Sequence, residues 1–276
     1  MSLYEKTGYL NSEFKMFHLF DNGLEEFNFH YHDFQKIILF IKGNVSYCIE
    51  GKSYALKPYD VILVGSGEIH KPIINDSSTY ERIIIYVSTN FVNSYKEKSY
   101  DLNYCFEKVK SENSNVLRLE SLKSSKLFKV FKELENSYND YEYANELYRK
   151  ILFLEFMIQL NRAAMNNNIS YIETYESNIT ISRVIEFIHN HITENLSIDI
   201  ISKSLFLNKY YLMHLFKSET GYTIGNYITS KRLLHAKSMI ENNIPVTTAC
   251  YECGFNSYSA FSRAYKKQFG VSAKNN

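Results

Sequence analysis

His30 and His32 alternate in the stretch FHYHDFQK, residues 29–36, as two ligands on one face of a β-strand would. Imidazoles in that arrangement can hold a divalent metal. A metal-binding barrel wants a carboxylate next, yet four residues after His32 the chain has Lys36. A protonated ammonium offers no lone pair and repels a cation. The expectation is therefore no metal and no cofactor, but a polar pocket in which His30, His32 and Lys36 orient the hydroxyls or an anionic group of a small molecule. The plainer reading is that these histidines are structural groups satisfied within the fold.

Cys250 and Cys253 have CxxC spacing. A zinc site needs a second pair of ligands nearby, and none follows. A redox pair needs a strand-to-helix junction, whereas this stretch reads as mid-helix. Buried thiols filling a helix face are expected, and a redox sensor is the weaker alternative.

Charge divides along the chain. The net charge is +1, but residues 178–276 hold 11 Lys and Arg against 6 Asp and Glu, and the other 177 residues hold 20 against 24. A basic module joined to an acidic one points to a polyanionic partner for the C-terminal part.

The elements that must position these groups are legible in outline. A chain of 276 residues suits two domains. KIILFIKG, VSYCIEGKSYALK, DVILVG and ERIIIYVS, between residues 27 and 88, are short, β-branched and separated by turn residues. They predict a β-barrel or double-sheet jelly roll. Residues 124–165 change period and predict two helices; in the second, Leu147, Ile151, Leu154 and Ile158 form one apolar seam. That seam either packs on its own barrel or makes a dimer contact. Residues 166–178 are polar and irregular and predict a linker. No apolar run approaches the roughly 20 residues that span a bilayer, and the first residues lack the apolar core of a signal peptide. A cytoplasmic protein without a membrane partner is expected.

Beyond residue 178 the chain repeats itself. LFLNKYYLMHLFKSETG ends at Gly221 and CGFNSYSAFSRAYKKQFG at Gly270. Asn208 and Asn256 are placed as N-caps, and the two glycines as left-handed C-caps. A short helix precedes each copy, with Ser197 and Pro245 at the respective starts. Short helix, tight turn and capped second helix make a helix-turn-helix. One long helix joins the two copies, so they can enter successive major grooves about 34 Å apart.

Residues 178–271 resemble the DNA-binding domain of the AraC/XylS family of bacterial transcription regulators. The resemblance is carried by LNKYYLMHLFKSETGYTIGNYITSKRLLHAKSMI and ACYECGFNSYSAFSRAYKKQFGVS. It implies that the first recognition helix presents Tyr210, Met213 and His214 to base edges, with Lys209 and Lys217 nearer the phosphates. The second would present Tyr258, Ser259, Ser262 and Arg263, with Lys266 near the backbone. Arg263 suits bidentate guanine readout, and Tyr210 and Met213 suit apolar contact with thymine methyls. Phe206 stands where that family has a turn glycine, which puts the first turn's geometry in question.

The N-terminal stretch HYHDFQKIILFIKGNVSYCIEGKSYALKPYDVILVGSGEIHKP is similar to the cupin-like sensor domain of such regulators. The similarity aligns His30, His32 and His70 with three metal-ligand positions of metal-binding cupins and puts Lys36 at the fourth. Tyr47 and Glu68 are further pocket candidates by proximity.

The fold class expected is α+β in two domains. Residues 1–165 form a cupin-like β-barrel with flanking helices, 166–178 the linker, and 179–276 an all-α domain with two helix-turn-helix units. The function expected is sequence-specific, ligand-controlled binding to double-stranded DNA as an activator. The effector implied by the resemblance is a sugar or related carbon source, the assembly a homodimer through residues 124–165, and a further partner RNA polymerase. The alternative is a metal-dependent cupin enzyme with an accessory helical domain.

Overall fold

The computed structural model describes residues 10, 12–23, 26–119, 121–166, 169–174, 176–177 and 179–274. The chain forms two compact units. One holds residues 1–27, 31–49 and 53–175; the other holds 28–30, 50–52 and 176–276.

In the first unit β1 (Phe14–Asp21), β7 (Tyr80–Val87), β2 (Gln35–Lys42), β5 (Val61–Val64), β8 (Val116–Leu119) and β9 (Ile169–Tyr171) lie in that order in one sheet. A second sheet contains β4 (Lys52–Ala55), β3 (Val45–Ile49) and β6 (His70–Ile74) in that order. The first sheet is covered on both faces, so its central strands are apolar at nearly every position rather than alternating. Ile37, Leu39, Val61, Leu63, Ile83 and Ile85 face a core built with the helices. Ile38, Phe40, Ile62, Val64, Ile84 and Tyr86 face a core shared with the second sheet.

The helical layer comprises α1 (Thr89–Asn93), α2 (Tyr104–Ser111), α3 (Lys126–Asn136) and α4 (Asn145–Met165). Ser125 caps α3 by accepting from the Phe128 amide. In α4 the buried stripe is Leu152, Phe153, Phe156, Met157, Leu160 and Ala164. The Leu147–Ile158 seam is not on that stripe: Leu147, Ile151 and Ile158 are exposed, and Leu154 is half-buried. The barrel is covered by a different face of the same helix, and of the seam residues Leu154 packs against that core. Asp60, wholly buried, is clamped by Arg118 through Nε at 2.7 Å and Nη2 at 2.6 Å. Part of the span read as a linker is strand: Ile169, Ser170 and Tyr171 pair with Leu119, Arg118 and Leu117. Three residues are too few for periodicity to reveal, and only the partner strand specifies them.

The second unit contains α5 (Ile179–Asn190), α6 (Ile198–Ser204), α7 (Lys209–Thr220), α8 (Ile224–Glu241), α9 (Val246–Glu252) and α10 (Tyr258–Phe269). Ile181, Val184, Ile185 and Ile188 bury one face of α5, as their spacing predicts. The carboxylate of Glu50, which belongs to this unit, accepts from Tyr227 Oη at 2.6 Å and Lys231 Nζ at 2.8 Å. Burial pushes the Glu50 carboxyl up, but Lys231 and His189 outweigh it and hold the group below the usual carboxylate range. Among the described residues no helix is long and apolar enough to cross a membrane.

Candidate functional site

Strand alternation places Lys36 on the face of β2 that meets the second sheet, and burial leaves it 2% exposed. His70, at the start of β6, is equally enclosed. The His70 Nδ1–H donates to the Glu68 carbonyl at 2.8 Å, and a carbonyl can only accept. His70 Nε2 therefore carries the lone pair, and it accepts from Lys36 Nζ at 3.1 Å. Burial, and next the charge of Arg82, lower the Lys36 pKa to about 7. A metal ion at His70 would have to take the Nε2 lone pair that Lys36 Nζ now engages.

His32 stacks on Phe34 with ring centroids 4.6 Å apart and lies against His70 at 5.4 Å. Tyr47, also buried, stacks on His70 with ring centroids 6.1 Å apart. Lys36, His32, His70 and Tyr47 are thus brought together. The Glu68 carboxylate is engaged elsewhere, where its Oε2 accepts from the Gly65 amide at 2.7 Å and from Asn115 Nδ2 at 3.0 Å. A Cβ at Gly65 would come within 3.2 Å of the Glu68 carboxyl carbon, tighter than an ordinary van der Waals contact. His30 lies in the 28–30 segment of the other unit, where its Nδ1–H donates to the Asn28 carbonyl at 2.9 Å.

In the second unit the repeat becomes two helix-turn-helix units, α6–α7 and α9–α10. The turns share one hydrogen-bond pattern: Leu207 N–H donates to Ser202 O at 2.8 Å, and Phe255 N–H to Cys250 O at 3.2 Å. Phe206 and Gly254 hold the same place in these turns, with φ of 56° and 85°. The unusual residue at 206 thus leaves the turn intact. Asn208 caps α7 by accepting from the amides of Tyr210 and Tyr211. The expectation for Asn256 is corrected: Ser257 caps α10, accepting from Ala260 N–H. The second copy is one residue longer there, and that residue moves the cap along by one. Gly221 and Gly270 end α7 and α10 in the left-handed region.

Leu212, Phe216, Phe261 and Tyr265 are buried, which orients both recognition helices. On α7 this exposes Tyr210, Met213, His214 and Lys217, while Lys209 is half-buried and pairs with Asp199 at 2.7 Å. On α10 it exposes Ser259, Arg263 and Lys266 and leaves Tyr258 and Ser262 half-buried. Cys250 and Cys253 are buried against α8, with Cys253 Sγ 3.6 Å from Met239 Sδ. Burial pushes the Cys253 thiol up to about 12, the opposite of what a reactive thiol needs.

A sensor-like barrel joined to paired helix-turn-helix units defines a ligand-controlled DNA-binding regulator. Residues 17–157 match the family of AraC-like ligand binding domains, and residues 201–275 match a helix-turn-helix domain family. The chain belongs to the AraC/XylS family of transcription regulators. It is 24% identical over 257 residues to the HTH-type transcriptional activator RhaS of Mannheimia succiniciproducens, covering 91% of this chain and 89% of that one. It is 31% identical over 94 residues to the multiple antibiotic resistance protein MarA of Escherichia coli, covering 34% of this chain and 74% of MarA. Among solved structures, apo ToxT K231A of Vibrio cholerae is 19% identical with a TM-score of 0.39, covering 97% of this chain and 98% of that one. The DNA-binding domain of AdpA in complex with a target DNA is 21% identical with a TM-score of 0.33, covering 34% and 86%.

Proposed function

We propose that this regulator is a homodimeric activator that acts in the cytoplasm and has no enzymatic activity. A small molecule held by the barrel, a sugar or related carbon source, would set its grip on promoter DNA, and RNA polymerase would be recruited there. The observation that carries the DNA-reading half is the pair of equivalent turns, each followed by a helix with one buried and one exposed face. Tyr210, Met213 and His214 on α7, and Tyr258, Ser259, Ser262 and Arg263 on α10, are the proposed base-facing residues. Lys209, Lys217 and Lys266 are the proposed phosphate contacts. Lys36, His32, His70 and Tyr47 would line the effector site, with Glu68 supporting its rim. The exposed Leu147, Ile151 and Ile158 support the homodimer, since apolar side chains in a row on one helix face favour a partner.

The test is binding to DNA from upstream of the protein's own gene, at two salt concentrations, with and without a panel of sugars. Sequence-specific binding that weakens steeply with salt, and that one sugar shifts, is expected. Equal affinity for a shuffled sequence would reject the reading.

A further inference from the structure

Two short segments from the first half of the sequence, residues 28–30 and 50–52, belong to the helical unit. The second begins with the turn between β3 and β4, made by Glu50 and Gly51. Both residues are at positive φ, 49° and 76°, the pattern of a two-residue hairpin turn that ordinarily takes Asn-Gly. Glycine suits that conformation, but Glu50 bears backbone strain in it. A Cβ on Gly51 would lie 2.7 Å from Ile181 Cγ2 on α5. Ile181 is fully buried and β-branched, so it cannot swing aside. The turn is seated on α5 through bare backbone.

The Glu50 side chain reaches α8. Tyr227 Oη gives its one proton to Glu50 Oε2 at 2.6 Å, which leaves the hydroxyl to accept from His189 Nε2–H at 2.9 Å. Lys231 Nζ donates to Glu50 Oε1 at 2.8 Å and lies 5.0 Å over the Tyr227 ring. One carboxylate therefore ties the middle of α8 to the last turn of α5.

α8 joins the two helix-turn-helix units, so its position sets the spacing of the recognition helices, and the groove repeat of DNA decides which spacing can bind. Lys231 is a cation of the basic part of the chain, yet its side chain is 14% exposed and neutralised by Glu50, which withholds it from phosphate. A contact maintained against strain in its own turn is one that a modest opposing interaction undoes.

We infer that the Glu50–Gly51 turn is a latch on the DNA-binding unit, which pins α8 through Glu50 and restrains DNA binding until it is released. The inference rests on the helical unit reading DNA and goes beyond that reading by assigning the unit a restraint of its own.

The test measures binding of the full chain to DNA from upstream of its own gene and to a shuffled sequence, at one salt concentration. Glu50→Gln removes the charge that holds Lys231, and Gly51→Ala unseats the turn without changing charge. Glu186→Gln removes an exposed carboxylate from α5 and is the charge control. Glu50→Gln and Gly51→Ala should each tighten specific binding about five-fold or more, and Glu186→Gln should change it less than about two-fold. A merely structural role gives the opposite sign, because a damaged fold binds DNA more weakly. Glu50→Gln keeps the test open if Gly51→Ala fails to fold. Binding by Glu50→Gln that is unchanged, weaker, or tightened no more than by Glu186→Gln would overturn the latch. So would a folded Gly51→Ala variant that binds as the original protein does. Equal affinity of the original protein and every variant for the shuffled sequence would instead remove the DNA reading, and the latch with it.

Discussion

Phe206 and Gly254 occupy the same position in the two helix-turn-helix turns, both at positive φ, yet only the glycine is required by its neighbours. A Cβ at Gly254 would lie 2.8 Å from the Thr193 carbonyl oxygen and 3.0 Å from the Arg232 guanidinium, which is itself fixed to the Ile192 and Glu194 carbonyls. Phe206 is 95% exposed and bears the strained backbone without such crowding. Phe206→Gly should therefore stabilise the helical unit by about 1 kcal/mol, and Gly254→Ala should destabilise it by more than about 2 kcal/mol. Hydrogen exchange of α7 and α10 amides in the full chain would register both changes.

Lys36 makes stability depend on pH in a defined window. Its folded pKa of about 7 lies below the ordinary 10.5. Between those values the unfolded chain binds the proton and the folded chain does not, so stability rises with pH across roughly 7 to 10. Above 10.5 the penalty is absent, and below 7 it is complete and constant. Lys36→Met should flatten this slope and add about 2 kcal/mol or more at pH 7. Denaturant midpoints at pH 7, 8 and 9 for both proteins would decide it.

The Asp60–Arg118 clamp behaves as a buried pair, since Asp60 has no exposed surface. Arg118→Met would leave that carboxylate uncompensated and should cost about 3–5 kcal/mol. The exposed Lys110–Glu107 pair is the control; Lys110→Ala should change stability by less than about 1 kcal/mol. Urea unfolding of the two variants would show the contrast.

Much of the DNA-binding unit was legible because its signals are local: cap, turn and glycine positions recur within one copy of the repeat. The one cap misplaced, Asn256 for Ser257, follows from the extra residue in the second copy. The barrel was harder. Three of the strands named from the sequence, Gln35–Lys42, Val61–Val64 and Tyr80–Val87, are buried on both faces. Phe14–Asp21, Val116–Leu119 and Ile169–Tyr171 lie at or towards the sheet's margins, where partner strands rather than local pattern decide. His32, Lys36 and His70 were legible as a group, but Arg82 was not. ERIIIYVS shows an Arg at the head of a strand, and only pairing with β2 reveals that it points inward.

The exposed face of α4 gives a direct test of assembly. Changing Leu147 and Ile151 together to Glu should convert a dimer to a monomer and leave the melting temperature of the barrel almost unchanged, because neither side chain contributes to the core. Analytical ultracentrifugation against protein concentration would read it. An unchanged mass would place the dimer contact elsewhere or remove it.

At the DNA, Arg263→Ala should relax specificity at one base pair and cost about 1–3 kcal/mol there. Lys217→Ala should weaken binding to all sequences alike and reduce the salt slope by about one. Titrations on single-base operator variants at several salt concentrations separate the two effects.

The central claim is that the two recognition helices read successive major grooves. Hydroxyl-radical and methylation footprints on upstream DNA test it most directly. The account predicts two contact patches about 10 base pairs apart on one face of the duplex. The first should fade with Tyr210→Ala and Met213→Ala, the second with Arg263→Ala. A single patch that fades with only one set of variants, or a footprint no different from that on shuffled DNA, would contradict it.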